Sequence, residues 1–286
     1  MFCPRSDLYF SQNIELRRST KNIFLKVLTL VGCWSTGIIY TSIGVIAILS
    51  FLKLKQGGAD ESSFFVLLNA FFVGRVINWI IILGGVCFVV WRFYEAFQDP
   101  YKVGNDKSGI LLRTGAAFSS FADAFIAFTA LQAIFSENKA PVTGEPVQQR
   151  SLVGELLQSA FGHVVIYATG IVVLLTALVL VMYGLSKRFT EALNGEDFSK
   201  GQRAVVHGIA YAGYFSRGVI LGIVGFFFLK AAIKNNSSYV VNTDKAFDFI
   251  GDHVGHTYFI LIAIGTICYG IYMFILGLYY QRRAKK

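Results

Sequence analysis

Charge is scarce in this chain of 286 residues: only 15% are Asp, Glu, Lys or Arg, against about 25% in a typical soluble domain. Proline is scarcer still. Pro4, Pro100, Pro141 and Pro146 are the complete set, and all lie outside the long apolar runs. No proline-broken helix of the kind common at transporter midplanes is therefore signalled. The cysteines Cys3, Cys33, Cys87 and Cys268 show no CxxC or paired spacing, which excludes a disulfide framework and a thiolate metal site. Three of them sit inside apolar segments and read as small hydrophobes. No histidine lies at a depth suited to haem ligation between spans. Nucleophile elbow, P-loop, HExxH and dinucleotide fingerprints are all missing. The expectation is a non-enzymatic protein with no catalytic residue, no metal and no cofactor.

Apolar residues are what the sequence has, at 55% of the chain and a mean hydropathy of +0.56. One soluble core cannot hide that many, so lipid is expected to solvate the outside. Six segments reach the ~20 residues that cross a bilayer: residues 28–52, 74–97, 113–135, 163–185, 208–232 and 256–280. The first apolar run, Val27 to Leu52, exceeds the ~7–15 residues of a signal-peptide core and ends without an A-x-A site. It is expected to stay as an anchoring helix.

The net charge of +9 would suggest nucleic acid in a soluble protein. Here the basic residues cluster at the ends of apolar segments, so topology explains them and no nucleic-acid partner is expected. Leaving out Arg92 and Arg217, which fall inside spans, sixteen Lys and Arg lie on one side and eight on the other. The richer side holds the tail 1–27 and the basic tail 282–286. Positive residues stay inside, which puts both termini in the cytoplasm of a bacterial inner membrane. The outer loops each end in a half-apolar stretch, Ser63 to Val73, Leu152 to Phe161 and Ala246 to Val254, expected as interfacial helices. Glu137 to Arg150 reads as a true loop.

The segments repeat. Gly74-Arg75, Gly162-His163 and Gly255-His256 each open an even-numbered span. Gly32, Gly37 and Gly44 match Gly213, Gly218 and Gly225 at identical spacing, with Gly115, Ser120 and Ala127 in the middle. Seven residues return to the same helix face. Small residues on one face let backbones approach, the main adhesive between helices in lipid. Gly37, Gly44, Ser120, Ala127, Gly218 and Gly225 are therefore expected to be packing positions. The fold class expected is all-α: a six-helix membrane bundle of three hairpins, over residues 28–100, 110–190 and 205–281. All three hairpins enter from the cytoplasm, which excludes an inverted repeat.

The string Tyr214-Phe215-Ser216-Arg217-Gly218 with Gly225, the pair Gly37 and Gly44, and Trp91-Arg92 closing the second span resemble a bacterial membrane family known as domain of unknown function 1206. The resemblance runs from Val31 to Gln281 and implies three copies of a two-helix unit. It brings an architecture and no activity. Thr36 departs from the family pattern, standing where an arginine precedes the glycine.

Few residues are poised for chemistry. Asp123 lies near the bilayer centre of the third span, where a charge costs roughly 2.5–3.5 kcal/mol. Arg217, at similar depth in the fifth span, is its expected partner, with Ser119 and Ser120 on the same wall. This group is either an ion or proton pathway or a structural pair. Arg92 and Glu95, at i and i+3, form a second polar group near the cytoplasmic end of the second span. Arg75, His163 and His256 occupy equivalent outer positions, with Asp252 and His253 near the last, a weak pattern for a metal. The leading expectation is a scaffold or accessory subunit whose partners are the lipid bilayer and other membrane proteins. The alternative is a small-solute or ion channel or transporter using Asp123 and Arg217.

Overall fold

A computed structural model describes residues 6–52, 65, 68–69, 71–98, 110, 131, 146–185 and 198–283. The described elements are helical: α1 (Ser6–Phe51), α2 (Phe72–Gln98), α3 (Val147–Leu156), α4 (Ala160–Leu185), α5 (Lys200–Lys234), a 3-10 turn (Ser237–Tyr239), α6 (Thr243–His253) and α7 (His256–Arg283). Four helices among the described residues are long and apolar enough to cross a membrane, Thr29–Phe51 of α1, α4, α5 and His256–Tyr279 of α7. Phe72–Cys87 of α2 is a shorter apolar run. Large apolar side chains stay exposed along α2 (Phe72, Val76, Leu83, Val90) and α4 (Val164, Ile171, Leu175, Leu178, Met182). Contiguous faces of this kind are not left bare to water. The chain is a multi-pass helical membrane protein. The expected third span, 113–135, lies outside the described residues apart from Leu131, as does most of the expected hairpin 110–190 before Pro146.

Local chemistry sets the helix ends. Ser199 caps α5 by accepting from the Gln202 amide at 3.3 Å, while Gln202 Oε1 accepts from the Ser199 amide at 3.0 Å, a reciprocal capping box. Asn235 ends α5 at a left-handed φ of 47°. Asn242 caps α6 through the Lys245 amide at 3.0 Å. Gly255, at φ 123°, turns the chain into α7 where a side chain would be strained. The matching Gly74 and Gly162 serve another need. They lie within the first turn of α2 and α4, and a Cβ there would strike the Leu68 and Leu156 carbonyls.

Some boundaries differ from the sequence reading. α1 begins at Ser6, so the expected tail 1–27 is continuous with the first span for most of its length. Helix α3 starts at Val147, directly after Pro146, inside the expected loop. Proline lacks an N–H that a helix start would leave unbonded anyway. Helix α6 covers the expected outer stretch from Thr243, but its apolar residues Ala246, Phe247 and Ile250 are buried, with the Phe247 ring 5.4 Å from that of Phe259 on α7. Protein, rather than lipid, takes its apolar face.

Packing follows a simple order: α2 lies against α1, α1 against α7, α7 against α5 and α5 against α4. The main core runs through this series, with Ile43, Ile81, Tyr272 and Met273 fully buried. A smaller cluster ties α3 to the start of α4 and the end of α5 through Val153, Leu157, Ile166, Ala231, Ala232 and Val240.

Candidate functional site: a buried arginine among tyrosines

Arg217 sits at the middle of α5 and is buried. The elements around it are brought in by small residues. Gly213, one turn earlier, has no room for a Cβ, which would lie 2.6 Å from the Tyr269 Cα. That close approach of α5 and α7 carries the Tyr269 side chain to Arg217. One Nη of Arg217 donates to the Tyr269 hydroxyl. Its guanidinium also lies 4.7 Å from the Tyr269 ring centre and 4.6 Å from that of Tyr40 on α1. A guanidinium is always charged and only donates. Phenol oxygens and ring faces are what a largely apolar interior can offer it, and a desolvated cation–ring contact is worth about 2 kcal/mol or more.

The tyrosines form a connected group. Tyr40 and Tyr269 meet edge to face at 5.0 Å, Tyr214 and Tyr269 at 5.4 Å, and Tyr183 of α4 and Tyr214 at 4.9 Å. The Tyr214 and Tyr272 rings meet at 5.5 Å. The rings thus join α1, α4, α5 and α7 around one cation.

Of the expected site residues, the structure places only Arg217 at a described centre. Asp123, Ser119, Ser120 and Ala127 lie outside the described residues. Arg92 and Glu95 are backbone positions on α2 whose side chains also lie outside them. The outer residues do not form a metal cluster: among the described residues no three His, Cys, Asp or Glu side chains group to hold an ion. His256 instead has its ring 5.4 Å from Phe51.

Tyr40 and Tyr269 are the neighbours that sequence reasoning missed. A signal was present. Tyr40 follows Gly37 by three residues, as Asp123 follows Ser120, so the two share one repeat position. Tyr269 replaces Phe88 in the unit that gains Arg217, adding a hydroxyl where a donor appears.

The glycines of α1 and α5 lie close against facing helices, and the contacts repeat. A Cβ at Gly37 would lie 2.9 Å from Phe274 and 3.0 Å from the Gly270 carbonyl oxygen; at Gly218 it would lie 2.6 Å from Val181 and 3.1 Å from the Ala177 oxygen. At Gly44 it would meet Ile267 at 2.6 Å, and at Gly225 the Leu174 amide at 2.9 Å. One constant offset carries the α1 glycines onto those of α5. A second carries Val181, Ala177 and Leu174 of α4 onto Phe274, Gly270 and Ile267 of α7. Within the pairs α1/α2 and α5/α7, Gly84 faces Ser35 and Gly265 faces Ser216, again at matched positions.

The comparisons agree with this duplication. The family model described as Domain of Unknown Function (DUF1206) matches residues 31–99 and, separately, 212–280. The chain is similar to DUF1206 proteins over these two stretches. The two matches are the α1/α2 and α5/α7 pairs, with α4 between them. The chain is also similar to the "Uncharacterized protein YxxB" of Bacillus subtilis (strain 168), 23% identical over 274 residues, 96% of each chain. No solved structure matches.

Proposed function

We propose that this chain is a six-span bundle of three hairpins in the bacterial inner membrane, with both termini cytoplasmic. We propose further that it acts without catalysis, as a scaffold or accessory subunit that offers its helix faces to lipid and to other membrane proteins. The arrangement is supported by the two matched contacts, α1 on α7 and α5 on α4, each joining a first helix of one hairpin to the second helix of another. Such a head-to-tail contact closes into a ring when the rotation allows.

One observation carries the functional reading. Among the described residues Arg217 is buried, covered by Tyr40 and Tyr269, with Tyr272 and Met273 fully buried in the same core. A cysteine at Thr36, buried one turn from Tyr40, tests this in a background without native cysteines. Under the scaffold reading Thr36→Cys resists a small maleimide in native membranes and reacts after denaturation. Rapid labelling in native membranes would overturn it.

The second reading is a channel or transporter for an ion or small solute, using Asp123 and Arg217 with Ser119 and Ser120. It is favoured by the burial of an ionisable side chain halfway along a span, a position expensive enough to suggest a use. Asp123→Asn should then abolish transport, and Thr36→Cys should label.

A further inference from the structure

The matched contacts raise a problem of choice. The glycine face of α1 and that of α5 are shaped alike, and so are the surfaces of α7 and α4 that receive them. The α5 helix of a second copy could therefore dock on α7 in place of α1, linking chains head to tail instead of closing one chain on itself. Backbone packing alone does not distinguish the two.

We propose that Arg217 makes the distinction, as the key that seats α1 of the same chain on α7 and rejects a second copy's α5. The guanidinium, carried by α5 and held by the Tyr269 hydroxyl of α7, faces the position at which α1 presents Tyr40. The offset that relates the glycines places Leu221 at that position on α5. A second copy's α5 would thus exchange an aromatic face for an aliphatic one over a buried cation. It would also bring a second arginine toward the first, since its own Arg217 lies one turn from Leu221. The first unit has Thr36 in place of the arginine, so α1 approaches without that repulsion. A single buried polar residue that fixes pairing at some cost in stability has precedent in coiled coils. The inference uses only the two described contacts and holds whether the protein is a scaffold or a transporter.

The test uses the full chain in native membranes, free of native cysteines, with Trp34→Cys and Phe274→Cys introduced; their rings lie 5.5 Å apart across the α1/α7 contact. Two differently tagged copies are co-expressed and oxidised. With Arg217 present, the disulfide forms within one chain and neither tag brings down the other. Arg217→Met should cause a several-fold loss of the intrachain disulfide, as α1 is displaced from α7, together with a rise in co-purification of the second tag. Tyr40→Leu, which gives α1 the side chain α5 carries there, should do the same while leaving the arginine in place. Unchanged intrachain cross-linking in both variants would overturn the proposal. So would loss of the intrachain disulfide without co-purification of the second tag in both, since Arg217 would then support folding without selecting a neighbour.

Discussion

Removing the Tyr269 hydroxyl leaves both rings over the guanidinium and takes away an oxygen that accepts from it. Hydrogen bonds to a charged group contribute about 1.5–3 kcal/mol, so Tyr269→Phe should lower the thermal unfolding midpoint of the detergent-solubilised protein by that equivalent. In an Arg217→Met background the same change should cost little, because the two residues act as a pair. Equal losses in both backgrounds would show that the hydroxyl does not serve the arginine. Arg217 was legible in the sequence because an ionisable residue inside an apolar run stands out. Its aromatic neighbours were not legible, since tyrosine is ordinary in a membrane helix and the contact joins distant segments. The sequence pointed to Asp123 as partner, which lies outside the described residues; among those, Arg217 meets the rings of Tyr40 and Tyr269.

Helix faces obey a plainer rule. Gly44→Leu and Gly225→Leu each force a side chain into a backbone of the facing helix, and overpacking of this kind costs about 1–3 kcal/mol. The two variants should lose similar stability, because they disturb equivalent contacts. Gly208 is different: a Cβ there meets nothing within 4 Å, so Gly208→Ala should raise stability by up to about 1 kcal/mol through helix propensity. Thermal unfolding of the three variants checks the contrast. The seven-residue spacing made these faces readable, since small side chains on one helix side have one main use in lipid. The helix limits read less well. Capping by Ser199 and Asn242, and the start of α3 after Pro146, depend on local bonds that hydropathy does not register.

At the scale of the molecule, alternating sides were read from charge, and they predict a labelling pattern. Ser238→Cys, exposed in the turn between α5 and α6, should react with a membrane-impermeant maleimide in spheroplasts. Ser199→Cys, at the other end of α5, should react only after permeabilisation. The reverse pattern would invert the whole assignment. The repeat was legible from glycine spacing, but the neighbour order was not, because identical faces do not name their partners. That order has a consequence in time. Of the described spans α1 is made first and α7 last, yet each covers the other's packing face. At roughly 5–20 residues per second, the glycines of α1 wait on the order of tens of seconds for their cover. A nascent chain therefore carries an unfinished seam from the making of α1 until that of α7, with its small-residue faces uncovered throughout that interval.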